Sequence, residues 1–208
     1  MNAQTKKFLI DGPVGKIEVA LDAPAGAPRG MALVAHPHPL FGGTMDNKVA
    51  VTLARTLVQL GYVTYRSNFR GVGATEGEHD NGMGERDDLM AVIEHMRADA
   101  EHGGLPLVLA GFSFGTVVLS HVAARLREAG VAIERMVFVG TAASRWEVAP
   151  VPDNTLVIHS ELDETVPIIS VFEWARPQEL PVVVVPGGEH FLHRKLHILK
   201  RIVTDAWR

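Results

Sequence analysis

The sequence predicts an α/β fold: a mainly parallel β-sheet with helices on both faces and an antiparallel hairpin at its N-terminal edge. Three observations predict it. Short apolar runs alternate with amphipathic helical stretches along most of the chain, the order that builds parallel sheets through right-handed crossovers. Several of these runs are continuous, as in strands that are buried on both faces. The first two runs are joined only by the turn GPVG, which is typical of a hairpin.

The first half of the chain predicts the hairpin, two further strands and two helices. The runs KFLID and KIEVAL pair across the turn, and the Pro/Gly loop APAGAPRG leads to the strand MALVA. Apolar residues at helical spacing predict a helix from Asn47 to Leu60, which Gly61 ends, before the strand YVTYRSNF. After a polar, Gly-rich connection, Glu85 to Arg97 carries an apolar stripe that predicts a second helix.

The second half repeats the alternation. An apolar run from Leu107 predicts a strand, and the helix that follows it ends near Gly130. Because strands alternate with helices, the carboxyl ends of the strands are expected at one edge of the sheet, where such folds bind ligands. The remaining elements are, in order, strands at Arg135–Gly140 and Thr155–His159, a helix at Ile169–Arg176, the strand PVVVV and a closing helix from about Leu192.

Length and composition predict one domain over residues 1–208 and set limits on its partners. The 208 residues are within the size of one hydrophobic core. The chain is 47% hydrophobic and 21% charged, with a formal charge of −4, which is ordinary for a globular protein. It has neither a basic stripe nor a basic amphipathic helix, so we expect no nucleic acid and no membrane as partner. The sequence leaves the oligomeric state open.

The absence of cysteine excludes several kinds of chemistry. With zero Cys, the chain forms no disulfide, no thiolate metal site and no cysteine nucleophile. At the N-terminus, only Phe8, Leu9 and Ile10 separate the lysines from Asp11, too short an apolar stretch for a signal peptide. We therefore expect a cytoplasmic protein that needs no cofactor.

The stretch LVLAGFSFGTVVL places Ser113 between two glycines, where a buried strand turns into a helix. A direct reversal brings Gly111 and Gly115 together, and any side chain there would clash. The Ser113 hydroxyl is then presented at a helix N-terminus, where partial positive charge and the Phe114 backbone N–H favour a developing anion. This pattern predicts a nucleophilic serine rather than a serine that only caps the helix.

A serine nucleophile needs a base, and the base needs a carboxylate that orients it. Two later strand ends supply both residue types. The loop SELDETVP, after the strand TLVIH, offers Asp163, with Glu161 and Glu164 as competitors. The loop PGGEHFLH, after the strand VVVV, offers His190.

The motifs G-F-S-F-G, L-D-E-T-V-P and G-G-E-H-F, in this order, resemble those of the α/β-hydrolase fold over nearly the whole chain. The segment NFRGVGATEG is similar to the D-x-R-G-x-G-x-S-x-G stretch of many such enzymes, and HPHPLFGGTMDNK resembles small bacterial serine esterases that lack a lid and are related to the dienelactone-hydrolase branch. The resemblance implies Asp163 as the acid and His190 as the base. Dienelactone hydrolase itself uses a cysteine, so its activity is not implied here.

The loop HPHPLFGGT follows the first crossover strand, where this fold places a second oxyanion donor beside the Phe114 amide. Pro37 and Pro39 have no N–H to donate. If His38-Pro39-Leu40 is equivalent to the H-G-x motif of relatives, the Leu40 amide is predicted to be the second oxyanion donor. The two His-Pro pairs also allow a register in which His38 is the donor.

Aromatic residues next to these motifs are candidates for a substrate pocket. Phe41, Phe112 and Phe191 are predicted to wall it, although apolar residues are equally expected of a core. Two histidine pairs have a spacing that metal sites use. His193 and His197 have no nearby third ligand, and the pair at 36 and 38 is only an alternative to the oxyanion loop, so we predict no metal.

Together these observations predict a serine hydrolase that acts on small-molecule carboxylic esters or thioesters of short to medium acyl length, through an acyl-enzyme. Lids are usually inserted after the strand that ends at Gly140, but only the 14 residues TAASRWEVAPVPDN precede the next strand. The site should therefore be open. The alternatives are a catalytically silent scaffold that binds a small molecule, and an acyltransferase that uses the same three residues.

Overall fold

A computed structural model describes residues 5–207. Residues 1–4 and 208, which the predicted domain includes, lie outside the described part. Eight strands form one sheet. They are β1 (Lys6–Gly12), β2 (Gly15–Asp22), β3 (Gly30–Ala35), β4 (Tyr62–Ser67), β5 (Leu107–Phe112), β6 (Arg135–Val139), β7 (Leu156–Ser160) and β8 (Val182–Val185).

The strand order is β1-β2-β4-β3-β5-β6-β7-β8. The hairpin of β1 and β2 is antiparallel and β2 also pairs antiparallel with β4, whereas all pairings from β4 to β8 are parallel. This confirms the predicted mainly parallel sheet with an antiparallel N-terminal edge. The loops that follow β3, β5, β6, β7 and β8 consequently emerge at the same edge of the sheet.

Helices cover both faces of the sheet, as predicted. They are α1 (Lys48–Gln59), α2 (Met83–Ala98), α3 (Phe114–Glu128), α4 (Ile168–Ala175) and α5 (Leu196–Asp205). Successive residues of β5 alternate between two apolar cores: Leu107 and Leu109 pack with α2, α3 and α4, and Val108 and Ala110 pack with α1 and α5. This two-sided burial explains why the strands are apolar without a polar face.

Most predicted boundaries lie within two residues of the observed ones, and the closing helix is the exception. It begins at Leu196 rather than near Leu192. Leu192 and Arg194 have φ angles of 52° and 60°, a left-handed conformation that a right-handed helix cannot contain. Within residues 5–207, no helix combines the length and the apolar character that a membrane span requires.

Candidate active site

Ser113 lies at the sharp corner between β5 and α3. Its backbone has a φ of 53° and a ψ of −121°, a strained conformation that costs on the order of 1–3 kcal/mol. A Cβ on Gly111 would lie 2.9 Å from the carbonyl carbon of Gly115, and one on Gly115 would lie 2.5 Å from the Ala35 oxygen. The Ser113 amide donates to the Val139 carbonyl at 2.9 Å. The two glycines and this bond hold the corner in its strained form.

Three side chains from three different loops form a hydrogen-bonded chain. His190 Nε2 lies 3.1 Å from Ser113 Oγ, and His190 Nδ1 lies 2.7 Å from Asp163 Oδ2. Because an ionised carboxylate can only accept, His190 Nδ1–H donates to Asp163, which leaves Nε2 free to accept the serine hydrogen. All three residues are buried at the sheet edge.

The loop after β7 fixes the carboxylate. Asp163 Oδ1 accepts from the amides of Thr165 and Val166 at 2.9 and 2.8 Å. Burial opposes ionisation of Asp163, but the hydrogen bonds from His190 and the Val166 amide outweigh it and lower the pKa of the carboxyl. The competing acids take other positions: Glu161 accepts from the Gly187 amide, and Glu164 is exposed.

A second imidazole, which the sequence reasoning missed, lies against the same carboxylate. His159 Nε2 lies 3.7 Å from Asp163 Oδ2 and donates to the Val166 carbonyl at 2.9 Å. The residue is buried, and its burial lowers the pKa of the ring. His159 is therefore neutral and braces the loop that carries Asp163. Its signal in the sequence is a histidine at the end of an otherwise apolar strand.

A cavity of about 370 Å³ opens beside Ser113 and His190. Phe41 and Phe191 line it and are exposed, in agreement with their predicted place in a pocket. Phe112 is completely buried, and its ring packs against the His190 ring at 5.0 Å. The prediction that Phe112 contacts substrate is therefore corrected: this ring supports the histidine from within the core. Other lining residues are His38, Asn47, Arg145 and Thr165.

The two predicted oxyanion amides have different surroundings. Phe114 is the first residue of α3, so its amide has no acceptor within the helix. The Leu40 amide instead donates to the ring of His38 at 3.2 Å, and Leu40 is 70% exposed and is not among the described residues that line the cavity. The structure therefore does not support Leu40 as the donor. His38 lines the cavity, and its amide has no hydrogen-bond acceptor among the described residues, so the other register is favoured.

A family model described as serine aminopeptidase, S33, matches residues 38–197. The chain belongs to this family. It is also a member of the α/β-hydrolase superfamily, since solved structures of this fold match nearly its whole length. The residues that the family model matches include the serine corner and the loops that carry Asp163 and His190.

Two solved relatives are similar to the chain in sequence as well as in fold. An α/β serine hydrolase without lid from Xanthomonas campestris is 36% identical, covers 99% of this chain and 94% of its own, and has a TM-score of 0.89. A serine hydrolase homologue from Coxiella burnetii is 37% identical over 96% of both chains, with a TM-score of 0.81.

A dienelactone hydrolase from Anabaena variabilis shares the fold at 19% identity, over 98% of this chain and 97% of its own, with a TM-score of 0.73. Residues 141–154 of this chain, between β6 and β7, contain neither helix nor strand, so no lid is inserted at this point of the described chain. The cavity is consequently open to solvent.

His36 and His193, two of the histidines considered as metal ligands, have other partners. Both ring nitrogens of the buried His36 are engaged, Nδ1–H with the Pro37 carbonyl at 2.7 Å and Nε2 with the Phe69 amide at 2.9 Å. Burial lowers the pKa of His36 to about 4. His193 lies outside the closing helix and contacts Glu189. Residues 5–207 contain no group of three or more side chains that could hold a metal ion.

Proposed function

We propose that this serine hydrolase is an esterase that cleaves carboxylic esters or thioesters of small molecules. The observation that carries the proposal is the chain of hydrogen bonds from Ser113 through His190 to Asp163, with distances of 3.1 and 2.7 Å, on a strained corner that presents the hydroxyl to the cavity. A nucleophile, a base and a carboxylate that orients the base are the parts acyl transfer requires.

In the proposed mechanism, Ser113 Oγ attacks the ester carbonyl while His190 Nε2 takes the hydroxyl proton. Asp163 holds the ring orientation and stabilises the imidazolium that forms. The amides of Phe114 and His38 stabilise the oxyanion of the tetrahedral intermediate. His190 then protonates the leaving alcohol, and a water molecule, activated by the same ring, releases the acid and regenerates Ser113.

The lining of the cavity favours esters over the aminopeptidase activity that the family description names. An aminopeptidase binds the free α-ammonium group of its substrate, and a carboxylate is the usual partner of such a cation. Among the described residues that line the cavity, none is a carboxylic acid, and Arg145 adds a positive charge. A substrate ammonium group would therefore be repelled.

Hydrolysis of p-nitrophenyl acetate and butyrate tests the proposal. We expect Ser113→Ala to lower kcat by about 10³-fold or more, as loss of a serine nucleophile does. Ser144→Ala, in the exposed loop after β6, is the matched control and should keep the wild-type rate. Equal rates for wild type and Ser113→Ala would refute the proposal and favour a silent scaffold.

A second assay separates the ester from the peptide alternative. Leucine p-nitroanilide carries the free ammonium group that an aminopeptidase requires. We expect its kcat/KM to fall at least about 100-fold below that of p-nitrophenyl butyrate, because the ammonium group meets no carboxylate in the cavity and an anilide is the harder bond to break. A preference for the anilide would contradict the ester assignment.

A further inference from the structure

Arg145 is a charged group in the cavity that the proposed mechanism does not use. It lies in the loop after β6 and lines the same cavity as Ser113 and His190. Its guanidinium group forms no ion pair and no hydrogen bond with any side chain or carbonyl of residues 5–207. By contrast, the buried arginines have structural partners: Arg66 pairs with Asp22, and Arg70 with Asp88 at 2.8 Å. Arg145 is thus available to a ligand.

The charge of Arg145 acts on the cavity rather than only on solvent. Among the described residues that line the cavity, Arg145 alone carries a permanent charge. The pKa of the His38 ring is lowered, mainly by burial, and the positive charge of Arg145 acts in the same direction. The described residues that line the cavity therefore contribute one positive charge and no negative charge, a balance that favours anionic ligands.

Asn47 supplies a second, neutral donor to the same cavity. Its side-chain Oδ1 accepts from the Val49 amide at 2.9 Å, where it caps α1. The Oδ1 atom is thus occupied by the cap, whereas Nδ2 donates to no other described residue and remains available as a donor. Asn47 also lines the cavity. A guanidinium group and an amide N–H₂ in one cavity, without a carboxylate, are suited to bind a carboxylate ligand.

The remaining walls fit an apolar chain between this anion and the reacting bond. Phe41 and Phe191 are exposed aromatic residues on the cavity surface. The volume of about 370 Å³ is at the lower end of the range of about 300–1,000 Å³ for ligand pockets. These dimensions fit a short molecule with an ester at one end and an anion at the other better than a long-chain lipid.

We propose that the substrate is an ester that carries a free carboxylate, which Arg145 and Asn47 bind while Ser113 attacks the ester carbonyl. The inference rests on the proposed esterase function. For a half-ester of a dicarboxylic acid, the reaction consumes one water and gives the dicarboxylate, the free alcohol and one proton, with Ser113 regenerated. The carboxylate on the substrate positions the ester and takes no part in bond breaking.

The assignment is tested with monomethyl esters of dicarboxylic acids, from succinate to suberate. Each is compared with the neutral ester of equal length in which a primary amide replaces the carboxylate, for example monomethyl adipate with methyl adipamate. Methanol release reports hydrolysis. At the best chain length, we expect kcat/KM for the acid ester to exceed that of the amide by about 10- to 100-fold, the range of one charged hydrogen-bond partner. 6-Acetoxyhexanoate and its amide place the carboxylate on the alcohol side instead.

Variants connect the preference to the proposed residue. We expect Arg145→Gln to reduce the preference to within about threefold, the effect of losing the charge, and Arg145→Glu to favour methyl 6-aminohexanoate over monomethyl adipate. Arg127→Gln, on an exposed position of α3 outside the cavity, should keep the wild-type preference. Arg127→Gln should also hydrolyse neutral p-nitrophenyl acetate at a rate within about threefold of wild type, because Arg127 is not among the described residues that line the cavity. For the Arg145 variants the readout is the ratio of kcat/KM for the acid ester to that for its amide, because this ratio cancels any change in rate that both esters share.

The outcomes distinguish the two proposals. If wild type fails to hydrolyse p-nitrophenyl acetate, the esterase function itself is refuted. Two results would refute only the role of Arg145, provided that wild type hydrolyses p-nitrophenyl acetate. The first is no preference for a carboxylate at any chain length, on either the acyl or the alcohol side of the ester. The second is no turnover of any acid ester. A preference that survives in Arg145→Gln would also overturn it.

Discussion

The two sides of the cavity are built differently. On one side, Ser113, Asp163 and His190 are each 7% exposed and are fixed by hydrogen bonds and packed rings. On the other side, Phe41 is 77% exposed, and Arg145 has no side-chain partner among the described residues. The buried side couples the chemistry to the fold, so changes there cost activity or stability. We propose that the exposed side selects the substrate, and we expect that it can change with little effect on the fold.

The largest expected difference between the two sides is in catalytic rate. We expect His190→Ala to lower kcat for p-nitrophenyl butyrate by about 10⁴-fold or more, because removal of the base leaves the serine hydroxyl without an acceptor for its proton. His193→Ala removes an exposed ring that, within residues 5–207, contacts Glu189 and Phe191, and this variant should keep kcat within about twofold of wild type. Similar losses in both variants would end the distinction between the two sides.

Phe112 and Phe41 are both predicted from the sequence to wall the pocket, but their alanine variants should differ in the free energy of unfolding. Phe112→Ala removes a completely buried ring that packs on His190, and we expect the free energy of unfolding to fall by about 3–5 kcal/mol. Phe41→Ala should change it by less than about 0.5 kcal/mol because the ring is on the surface. Urea denaturation measures both. Equal stabilities would mean that Phe112 is not part of the core.

Glycine substitutions sharpen the comparison at the serine corner. A Cβ at Gly115 would meet the Ala35 carbonyl, whereas one at Gly26 would meet nothing within 4 Å. We expect Gly115→Ala to lower the free energy of unfolding by about 1–3 kcal/mol and to lower kcat, because the corner must shift. Gly26→Ala should leave both unchanged. A Gly115→Ala protein with the activity and melting temperature of wild type would contradict the close packing of the corner.

The stability of the fold is also expected to depend on pH through His36, a residue outside the catalytic chain of hydrogen bonds. Its pKa is about 4 in the folded protein against 6.5 for the free residue. Between pH 6.5 and about pH 4, the His36 ring is therefore protonated in the unfolded chain but neutral in the folded protein. The free energy of unfolding consequently falls as the pH falls across this window. One pKa unit corresponds to about 1.4 kcal/mol, and the His36 contribution at pH 5 is a loss of about 2 kcal/mol relative to pH 7.

Urea denaturation of wild type and His36→Gln at both pH values isolates this contribution. His159, whose pKa burial also lowers, changes stability in the same direction in both proteins and cancels in the comparison. Asp163, with a lowered pKa, loses its contribution only at more acidic pH. We expect the stability difference between pH 7 and pH 5 to be about 2 kcal/mol smaller in the variant. An identical difference in both proteins would show that His36 titrates normally.

The buried side of the cavity was predictable because local sterics and topology determine it. Gly111 and Gly115 indicate a corner that only glycines permit, and the strand-end rule brings the loops of Asp163 and His190 to the same edge. The place of Phe112 follows from alternation along β5, where it shares a face with Val108 and Ala110. Its closeness to Ser113 in the sequence favours a place in the pocket, but the alternation along β5 determines its position.

The exposed side was less predictable because it depends on loop conformation. The ring of His38 accepts the Leu40 amide, a contact that no pattern in HPHPLFGGT specifies, and it removes Leu40 from the candidate donors. The start of α5 likewise depends on left-handed conformations at Leu192 and Arg194, residue types that rarely adopt them. Arg145 has no sequence motif of its own, and only its place in the cavity indicates a role.

Titration with a fluorophosphonate tests the central claim most directly, because such a reagent phosphonylates only a serine that a neighbouring base activates. We expect intact-mass measurement to show one phosphonyl group per chain and peptide mapping to locate it on Ser113. Ser113→Ala should take up none, and His190→Gln should react far more slowly than wild type. A folded wild-type protein that remains unlabelled, or that carries the label on another residue, would contradict the account.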